Sequence, residues 1–205
     1  MSDAGTLRIL GISGSLRRGS YNTAALRAAQ ELAPRDMRID SADIASIPPY
    51  NEDVKQQGFP PPVEELRRRV KEADGVLFVT PEYNYSVPGV LKNAIDWVSR
   101  PPEQPFDGKP IAIMGASPSA LGTARAQYHL RQCFVFLNGL VLNRPEVMIA
   151  QAQNKFDAEG RLTDQPTREF LGTMLTAFAA WVRRIRAGQE PALEAWRRYH
   201  RHARA

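Results

Sequence analysis

The sequence predicts one α/β domain, in which five short strands form a parallel sheet with helices on both faces. Short apolar runs alternate with amphipathic helical segments along the chain, which is typical of successive strand-helix units. Residues 75–80 are apolar almost throughout, as expected for a parallel strand covered on both faces. The 205 residues, 43% of them hydrophobic, suffice for one sizeable core but not for two comfortable domains.

The amino-terminal part of the chain supplies the first two strands. Residues 7–12 form a short apolar strand, and residues 24–33 form a helix that stops before Pro34, since proline cannot continue a helix. Residues 37–44 alternate between apolar and polar side chains. This alternation predicts a second strand nearer the edge of the sheet.

The central part of the chain contains a proline-bracketed segment and the third strand. Residues 47–62 cannot form regular structure throughout. A segment of this length either serves a site or a partner, or is a plain surface excursion. Residues 63–73 have an amphipathic helical pattern, residues 75–80 form the third strand, and residues 88–98 form the helix after it.

The last two strands and a long helix complete the predicted domain. Residues 110–116 form the fourth strand, and a helix follows over residues 123–137. The fifth strand consists of residues 141–142 and 147–149, with an interruption between them. Apolar side chains recur at helical spacing over residues 164–186, which predicts a long closing helix.

Residues 10–22, LGISGSLRRGSYN, join the first strand to the first helix and have the features of a phosphate cradle. Two glycines permit unusual backbone angles, and a helix N-terminus favours an anion at this point. Further donors come from Ser13, Ser15, Arg17, Arg18, Ser20 and Asn22. The alternative is an ordinary loop in which Ser20 or Asn22 merely caps the helix. The spacing matches neither G-x-G-x-x-G nor a P-loop.

Three polar loops follow the first, third and fourth strands, at residues 13–22, 81–86 and 117–122. Ligands of doubly wound sheets bind beyond the carboxyl ends of the strands. In the order 2-1-3-4-5 the first and third strands flank the switch point. We therefore expect the three loops to converge on one ligand.

The loop after the third strand suits a planar heteroaromatic ring such as a flavin. Tyr83 and Tyr85 supply flat apolar surfaces with polar ends, and Asn84 supplies an amide that both donates and accepts hydrogen bonds. Prolines at both ends stiffen the segment, so that its backbone amides are held in fixed directions. In the alternative interpretation the tyrosines only pack, and Glu82 is solvated or ion-paired.

Two motifs resemble those of the NADPH-dependent FMN reductase family, close to its chromate and quinone reductase members. They are GSLRRGSYN at residues 14–22 and PEYNYSVPGVLKNAIDW at residues 81–97, of which the second is highly specific. The similarity extends over residues 7–186. It implies a flavodoxin-like fold, FMN as cofactor, and transfer of hydride from NADPH or NADH to an acceptor such as a quinone, free flavin, azo compound or chromate.

The resemblance also implies which residues bind FMN. Those implied for its phosphate are Ser15, Arg17, Ser20 and Asn22. Those implied for its isoalloxazine ring are Pro81, Glu82, Tyr83, Asn84, Tyr85 and, on the far side, Ser117. We nominate no catalytic residue, because the flavin carries the chemistry and the protein supplies orientation and polarity. Arg17 and Arg18 also suit the extra phosphate of NADPH, but inspection leaves the preference between NADPH and NADH open.

The family forms homodimers and often homotetramers, in which the loop around Pro49 approaches the flavin of a neighbouring subunit. By this resemblance Arg125, Tyr128 and Glu146 match polar positions between subunits; otherwise they are solvated surface side chains. Independently, the helix around residues 133–137 is apolar on every face. That pattern favours burial against a second copy or deep within one subunit.

Composition argues against several other classes of protein. There is no apolar run long enough for a membrane span and no secretory signal, so we expect a cytoplasmic protein. The single cysteine, Cys133, excludes an internal disulfide, and three scattered histidines give no metal-site pattern. The net charge of +5 is partly concentrated near the C-terminus and otherwise spread, so nucleic-acid binding is not indicated.

Two further interpretations concern the tail and a rival function. We assign residues 1–186 to the FMN-binding domain and residues 187–205 to a basic C-terminal tail. The tail is either a short amphipathic interaction helix or a frayed terminus. The rival function is a flavodoxin-type electron carrier without its own NAD(P)H reaction, although such carriers are generally acidic.

Overall fold

The structure, a computed structural model, describes the backbone of residues 5–202 and the side chains of residues 5–188. Its strands are β1 (Leu7–Ser13), β2 (Met37–Ala42), β3 (Gly75–Val79), β4 (Pro110–Ala116), β5 (Leu140–Val141) and β6 (Val147–Ile149). They form a parallel sheet in the order β2-β1-β3-β4-β5, and β6 pairs with β4 beyond the end of β5. The predicted order 2-1-3-4-5 is confirmed, because β5 and β6 together are the interrupted fifth strand.

Within residues 5–202, six α-helices connect and cover the strands. They are α1 (Tyr21–Glu31), α2 (Glu52–Gln56), α3 (Pro61–Glu72), α4 (Gly89–Val98), α5 (Ala124–Phe136) and α6 (Gln165–His202). Helix α6 continues beyond residue 186, where we expected the domain to end. Most side chains of the predicted tail lie outside the described residues, so its role stays a prediction.

Two local differences from the predicted helices have simple causes. Helix α1 begins at Tyr21 rather than at residue 24, because the hydroxyl of Ser20 caps its first turn. The short helix α2 lies within the proline-bracketed segment, where the side chain of Asn51 caps it. Pro61 then begins α3, since proline is tolerated in the first turn of a helix.

The sheet separates two apolar layers. Along β1, Leu7 and Ile9 face the layer formed with α1 and α6, whereas Leu10 and Ile12 face the layer formed with α3, α4 and α5. Successive side chains of a strand alternate between its faces. A strand covered on both sides must therefore be apolar at every position, as β3 is.

The segment between β2 and α3 is fastened to α4. The carbonyl of Pro48 accepts hydrogen bonds from the Asn93 carboxamide and the Trp97 indole, each at 2.8 Å. The oxygen of the Asn93 side chain accepts from the amide of Tyr50 at 2.7 Å, and the Tyr50 ring packs edge-on against fully buried Trp97. These contacts hold in place the helix that follows the loop after β3.

The carboxyl ends of β1, β3 and β4 approach one another closely. The amide of Gly14 donates to the carbonyl of Val79 at 2.8 Å. A Cβ at Gly115 would lie 2.1 Å from the hydroxyl of Thr123 and 2.2 Å from the carbonyl oxygen of Thr80. Only glycine leaves room here for the end of β3 and the start of α5 to pack directly on β4.

Gly115→Ala is expected to lower the free energy of unfolding by roughly 1–3 kcal/mol, because the new methyl group overlaps backbone. Gly172→Ala is the matched control, since a Cβ there meets nothing within 4 Å. Alanine is also the better helix former, so the control is expected to gain up to about 1 kcal/mol. Urea unfolding measures both changes. Equal stability of the two variants would contradict the close packing at Gly115.

Candidate active site

The three polar loops meet at the carboxyl edge of the sheet and enclose an open cleft of about 410 Å³, a volume typical of small-molecule sites. The sequence-predicted residues that line it are Ser15, Arg17, Ser20, Asn22, Pro81, Glu82, Tyr83 and Ser117. The predicted residues Asn84 and Tyr85 are not among its lining residues. The structure adds Tyr21, Ala116 and Pro118, each of which is the chain neighbour of a predicted residue. That adjacency is the signal that could have found them.

The loop before α1 forms the first wall. The Ser20 hydroxyl oxygen accepts hydrogen bonds from the amides of Asn22 and Thr23 at 3.1 and 3.3 Å, so Ser20 does cap the helix. A hydroxyl that accepts in this way still has a proton to donate, and the positive end of the helix dipole lies at the same place. The Ser15 hydroxyl accepts a long hydrogen bond of 3.4 Å from the amide of Arg17, whose side chain is exposed. This wall therefore combines donors with positive charge.

Asn22 fastens the first wall to the third. Its buried side chain donates to the carbonyl of Ala116 and accepts from the amide of Ala116, both at 2.9 Å. One of its two amide hydrogens is left for a ligand. The sequence could not reveal this pairing, because the two residues are 94 positions apart.

The second wall is a tight hairpin. Tyr83 and Ser86 exchange backbone hydrogen bonds of 3.1 and 3.0 Å around the two residues between them. Those residues, Asn84 and Tyr85, have φ angles of 49° and 67°, as a two-residue turn of this hand requires. Tyrosine is uncommon in this region of φ and stores roughly 1–3 kcal/mol of strain there. Within the described residues, the amides of Asn84 and Tyr85 donate no hydrogen bond.

Glu82 fixes the hairpin to the start of α5. Its carboxylate, 6% exposed, accepts hydrogen bonds from the amides of Arg125 and Ala126 at 3.0 and 3.1 Å and forms a salt bridge with the Arg125 guanidinium. This hydrogen bonding raises the pKa of Arg125 above its usual value. The Arg125 guanidinium also lies 3.7 Å from the centre of the Tyr85 ring, a cation–π contact. Because the Glu82 carboxylate is already paired, it is the backbone of Glu82 that remains available to a ligand in the cleft.

The loop after β4 forms the third wall. The amide of Ser117 donates to the carbonyl of Ile149 at 2.9 Å, which ties the loop to the end of β6. The Ser117 hydroxyl donates to the hydroxyl of Ser119 at 3.2 Å. The second piece of the interrupted fifth strand thus supports this side of the cleft.

Other candidate functional groups stand outside the cleft. Burial raises the pKa of the Cys133 thiol, so this side chain is protonated at neutral pH and is not a reactive thiolate. The Tyr128 hydroxyl donates to Glu146 at 3.2 Å, and Nδ1 of His129 lies 3.0 Å from the Ser86 hydroxyl. Among the described residues no group of three His, Cys, Asp or Glu side chains could hold a metal ion. None of the described helices has the length and apolar character needed to span a membrane.

Comparison with known proteins identifies the family. The sequence profile of the NADPH-dependent FMN reductase family matches residues 7–154, most of the chain. The chain belongs to this family. An NAD(P)H-dependent FMN reductase of Pseudomonas aeruginosa is 62% identical over 91% of this chain and 100% of its own length. A quinone reductase of Escherichia coli K12 is 49% identical over 88% of this chain and 97% of its own.

Solved structures agree with this assignment. FerB, a flavoenzyme NAD(P)H:(acceptor) oxidoreductase from Paracoccus denitrificans, matches with a TM-score of 0.80 and 35% identity. The match covers 87% of this chain and 98% of FerB. An azoreductase of Bacillus anthracis shares the fold at a TM-score of 0.53 and 19% identity, over 86% of this chain and 99% of its own. The motif-based expectations of a flavodoxin-like fold, FMN as cofactor and an NAD(P)H-dependent oxidoreductase are confirmed.

The chemistry of the cleft fits the family's cofactor. FMN has a phosphate at one end and a planar ring with carbonyl and imide groups at the other. The first wall concentrates hydroxyl donors, a guanidinium group and a helix N-terminus, which suit the phosphate. The second wall presents the exposed aromatic side chain of Tyr83, which suits the planar ring of FMN. The amides of Asn84 and Tyr85 lie in the turn next to the lining residues and donate no hydrogen bond within the described part of the chain.

Asn22→Ala is expected to destabilise this reductase by roughly 2–3 kcal/mol, because it leaves the amide and carbonyl of Ala116 without partners. Asn154→Ala is the matched control, since that side chain is exposed and makes no hydrogen bond within the described part of the chain. Thermal and urea unfolding of both variants measure the effect. Comparable losses in the two variants would show that the pairing with Ala116 contributes nothing.

Proposed function

We propose that this reductase passes electrons from NAD(P)H, through FMN bound in the cleft, to a small acceptor of the quinone class. The observation that carries the proposal is the convergence of three loops on one open cleft with complementary ends. The quinone reductase among its relatives supports this choice of acceptor. Free flavins, azo compounds and chromate are further candidate acceptors.

The first wall is assigned to the FMN phosphate. Arg17 supplies a planar fork of charged donors, and Ser15 and Ser20 supply hydroxyl protons. Asn22 contributes its remaining amide hydrogen and, through Ala116, holds the wall in register with β4. The N-terminus of α1 adds favourable potential that depends on no side chain.

The hairpin and the loop after β4 are assigned to the isoalloxazine ring. Pro81, Tyr83 and Ser117 line the cleft where the ring would lie. Asn84 and Tyr85 lie in the turn next to these lining residues, and we assign their amides, which donate no hydrogen bond within the described residues, to atoms of the flavin ring. Glu82 contributes indirectly, because its carboxylate fastens the hairpin to α5.

Bound FMN supplies the hydride and electron chemistry of the reaction. The protein binds NAD(P)H and then the acceptor at the same open side of the cleft. Its contribution is therefore to bring the reactants close together and to orient them. Glu82 is the only carboxylate among the described lining residues, and it is already paired with Arg125. We therefore assign no general acid or base, and the acceptor takes its protons from solvent.

We also propose that the protein works as a homodimer or homotetramer in the cytoplasm, where NAD(P)H is available. Val135 and Phe136, at the end of α5, are 81% and 88% exposed. Adjacent large apolar side chains this exposed are typical of an interface. On the same helix, the Tyr128 hydroxyl donates a hydrogen bond to Glu146, the residue that precedes β6.

The rival function, a flavodoxin-type carrier, has less support. The relatives with high identity are named as reductases, and the net charge of +5 contrasts with the acidic character of such carriers.

Anaerobic mixing of the FMN-loaded protein with NADPH is expected to bleach the flavin absorption on a catalytic timescale, and added 1,4-benzoquinone is expected to restore it. Stopped-flow absorbance measures both steps. Slow bleaching by NADPH together with rapid reduction by a separate reductase would favour the carrier instead.

Arg17→Ala is expected to weaken FMN binding by roughly tenfold to a hundredfold, because a charge-assisted hydrogen bond to phosphate is lost. Arg35→Ala is the control: it removes the same charge from an exposed side chain that precedes β2, at the opposite edge of the sheet. Fluorescence titration of the apoprotein with FMN measures the affinity of each variant. Riboflavin, which lacks the phosphate, should bind both variants equally; an equal loss of FMN affinity in both would refute the assignment of Arg17.

A further inference from the structure

A second cleft, of about 470 Å³, opens beside the first. Arg17 and Tyr21 line both clefts, so the two meet at the loop before α1. The second cleft adds Arg18 and Arg27 on the same wall, and the turn at residues 157–160 forms the wall opposite.

The arginines of this second cleft are uncompensated. Arg17, Arg18 and Arg27 form no salt bridge with any described side chain. The acidic side chains of the opposite wall, Asp157 and Glu159, are both paired with Arg161, at 2.7 and 3.4 Å. Asp157 and Glu159 share a single arginine and are therefore only partly compensated, but the three unpaired arginines of the other wall outnumber them. The cleft therefore keeps a net positive charge to offer an anion.

The junction of the two clefts carries an aromatic ring. Tyr21 packs against Phe156 with ring centres 5.5 Å apart, which holds the ring in place. Guanidinium groups beside a fixed aromatic ring suit a nucleoside phosphate, because the ring can pack on a base while the guanidinium fork binds phosphate oxygens. A nucleotide that reacts in the first cleft can extend its other end into the second.

We propose that Arg18 and Arg27 bind the 2′-phosphate of NADPH and make this reductase prefer NADPH to NADH. The proposal rests on the proposed function, because it takes the nicotinamide to react in the first cleft. NADH has a hydroxyl group where NADPH has this phosphate, so it forgoes the charge-assisted hydrogen bonds. Among the described residues, Arg27 makes a single long hydrogen bond of 3.5 Å, to the carbonyl of Gly160, which leaves most of its donors available.

Isothermal titration of the FMN-loaded protein with adenosine 2′,5′-bisphosphate and with AMP tests the site directly. The wild type is expected to bind the bisphosphate at least roughly tenfold more tightly than AMP. Arg18→Ala and Arg27→Ala are expected to lose this difference, whereas Arg35→Ala keeps it. If the wild type binds the two nucleotides with equal affinity, the proposal is overturned. It is also overturned if inorganic phosphate competes for the second cleft as strongly as the bisphosphate does.

Steady-state kinetics supply the second readout. The ratio of kcat/KM for NADPH to kcat/KM for NADH is expected to fall roughly tenfold in Arg27→Ala and in Arg18→Ala, and to stay unchanged in Arg35→Ala. An unchanged ratio in the first two variants overturns the proposal. If neither nucleotide bleaches the wild-type flavin, the proposed function fails, while the titration still decides whether the second cleft recognises a 2′-phosphate.

Discussion

Asn22 ties the loop before α1 to the end of β4 with two hydrogen bonds of 2.9 Å, and the rest of the cleft depends on this pairing. The loop carries the donors assigned to the phosphate, and β4 leads into the wall that contains Ser117. A buried carboxamide that satisfies both backbone groups of Ala116 fixes the distance between these walls, because leaving either group unpaired would cost about 1–3 kcal/mol. The helix N-terminus is thereby held where an anion gains most from it.

The hairpin wall differs from the Asn22 pairing, because its backbone is strained. Contacts between Glu82 and the start of α5 stabilise the strained turn. Tyr85 lies in a region of φ that favours glycine, and the turn persists because Glu82 caps α5 and pairs with Arg125. Arg125 also lies against the Tyr85 ring. The result is a pair of backbone amides with fixed direction, in the turn next to the residues that line the cleft.

Much of the fold could be predicted because it rests on local patterns. The apolar run of β3, the interrupted fifth strand and the order of the strands all appear as expected. The start of α1 and the short helix α2 did not, since each depends on a single capping side chain, Ser20 or Asn51. The loops were identified by composition, and the structure brings them to one cleft because parallel strands present their carboxyl ends at the same edge.

The sequence by itself determined the strand-helix order, the three polar loops and the motifs that place the chain among the FMN reductases. Periodicity, glycine and proline positions and short motifs are local, and they need no knowledge of distant partners. Only the tertiary structure decided how each polar group is used: Asn22 pairs with Ala116, 94 residues away, and Glu82 with Arg125, 43 residues away. Such pairings arise because a buried polar group must find a partner wherever folding brings one within reach.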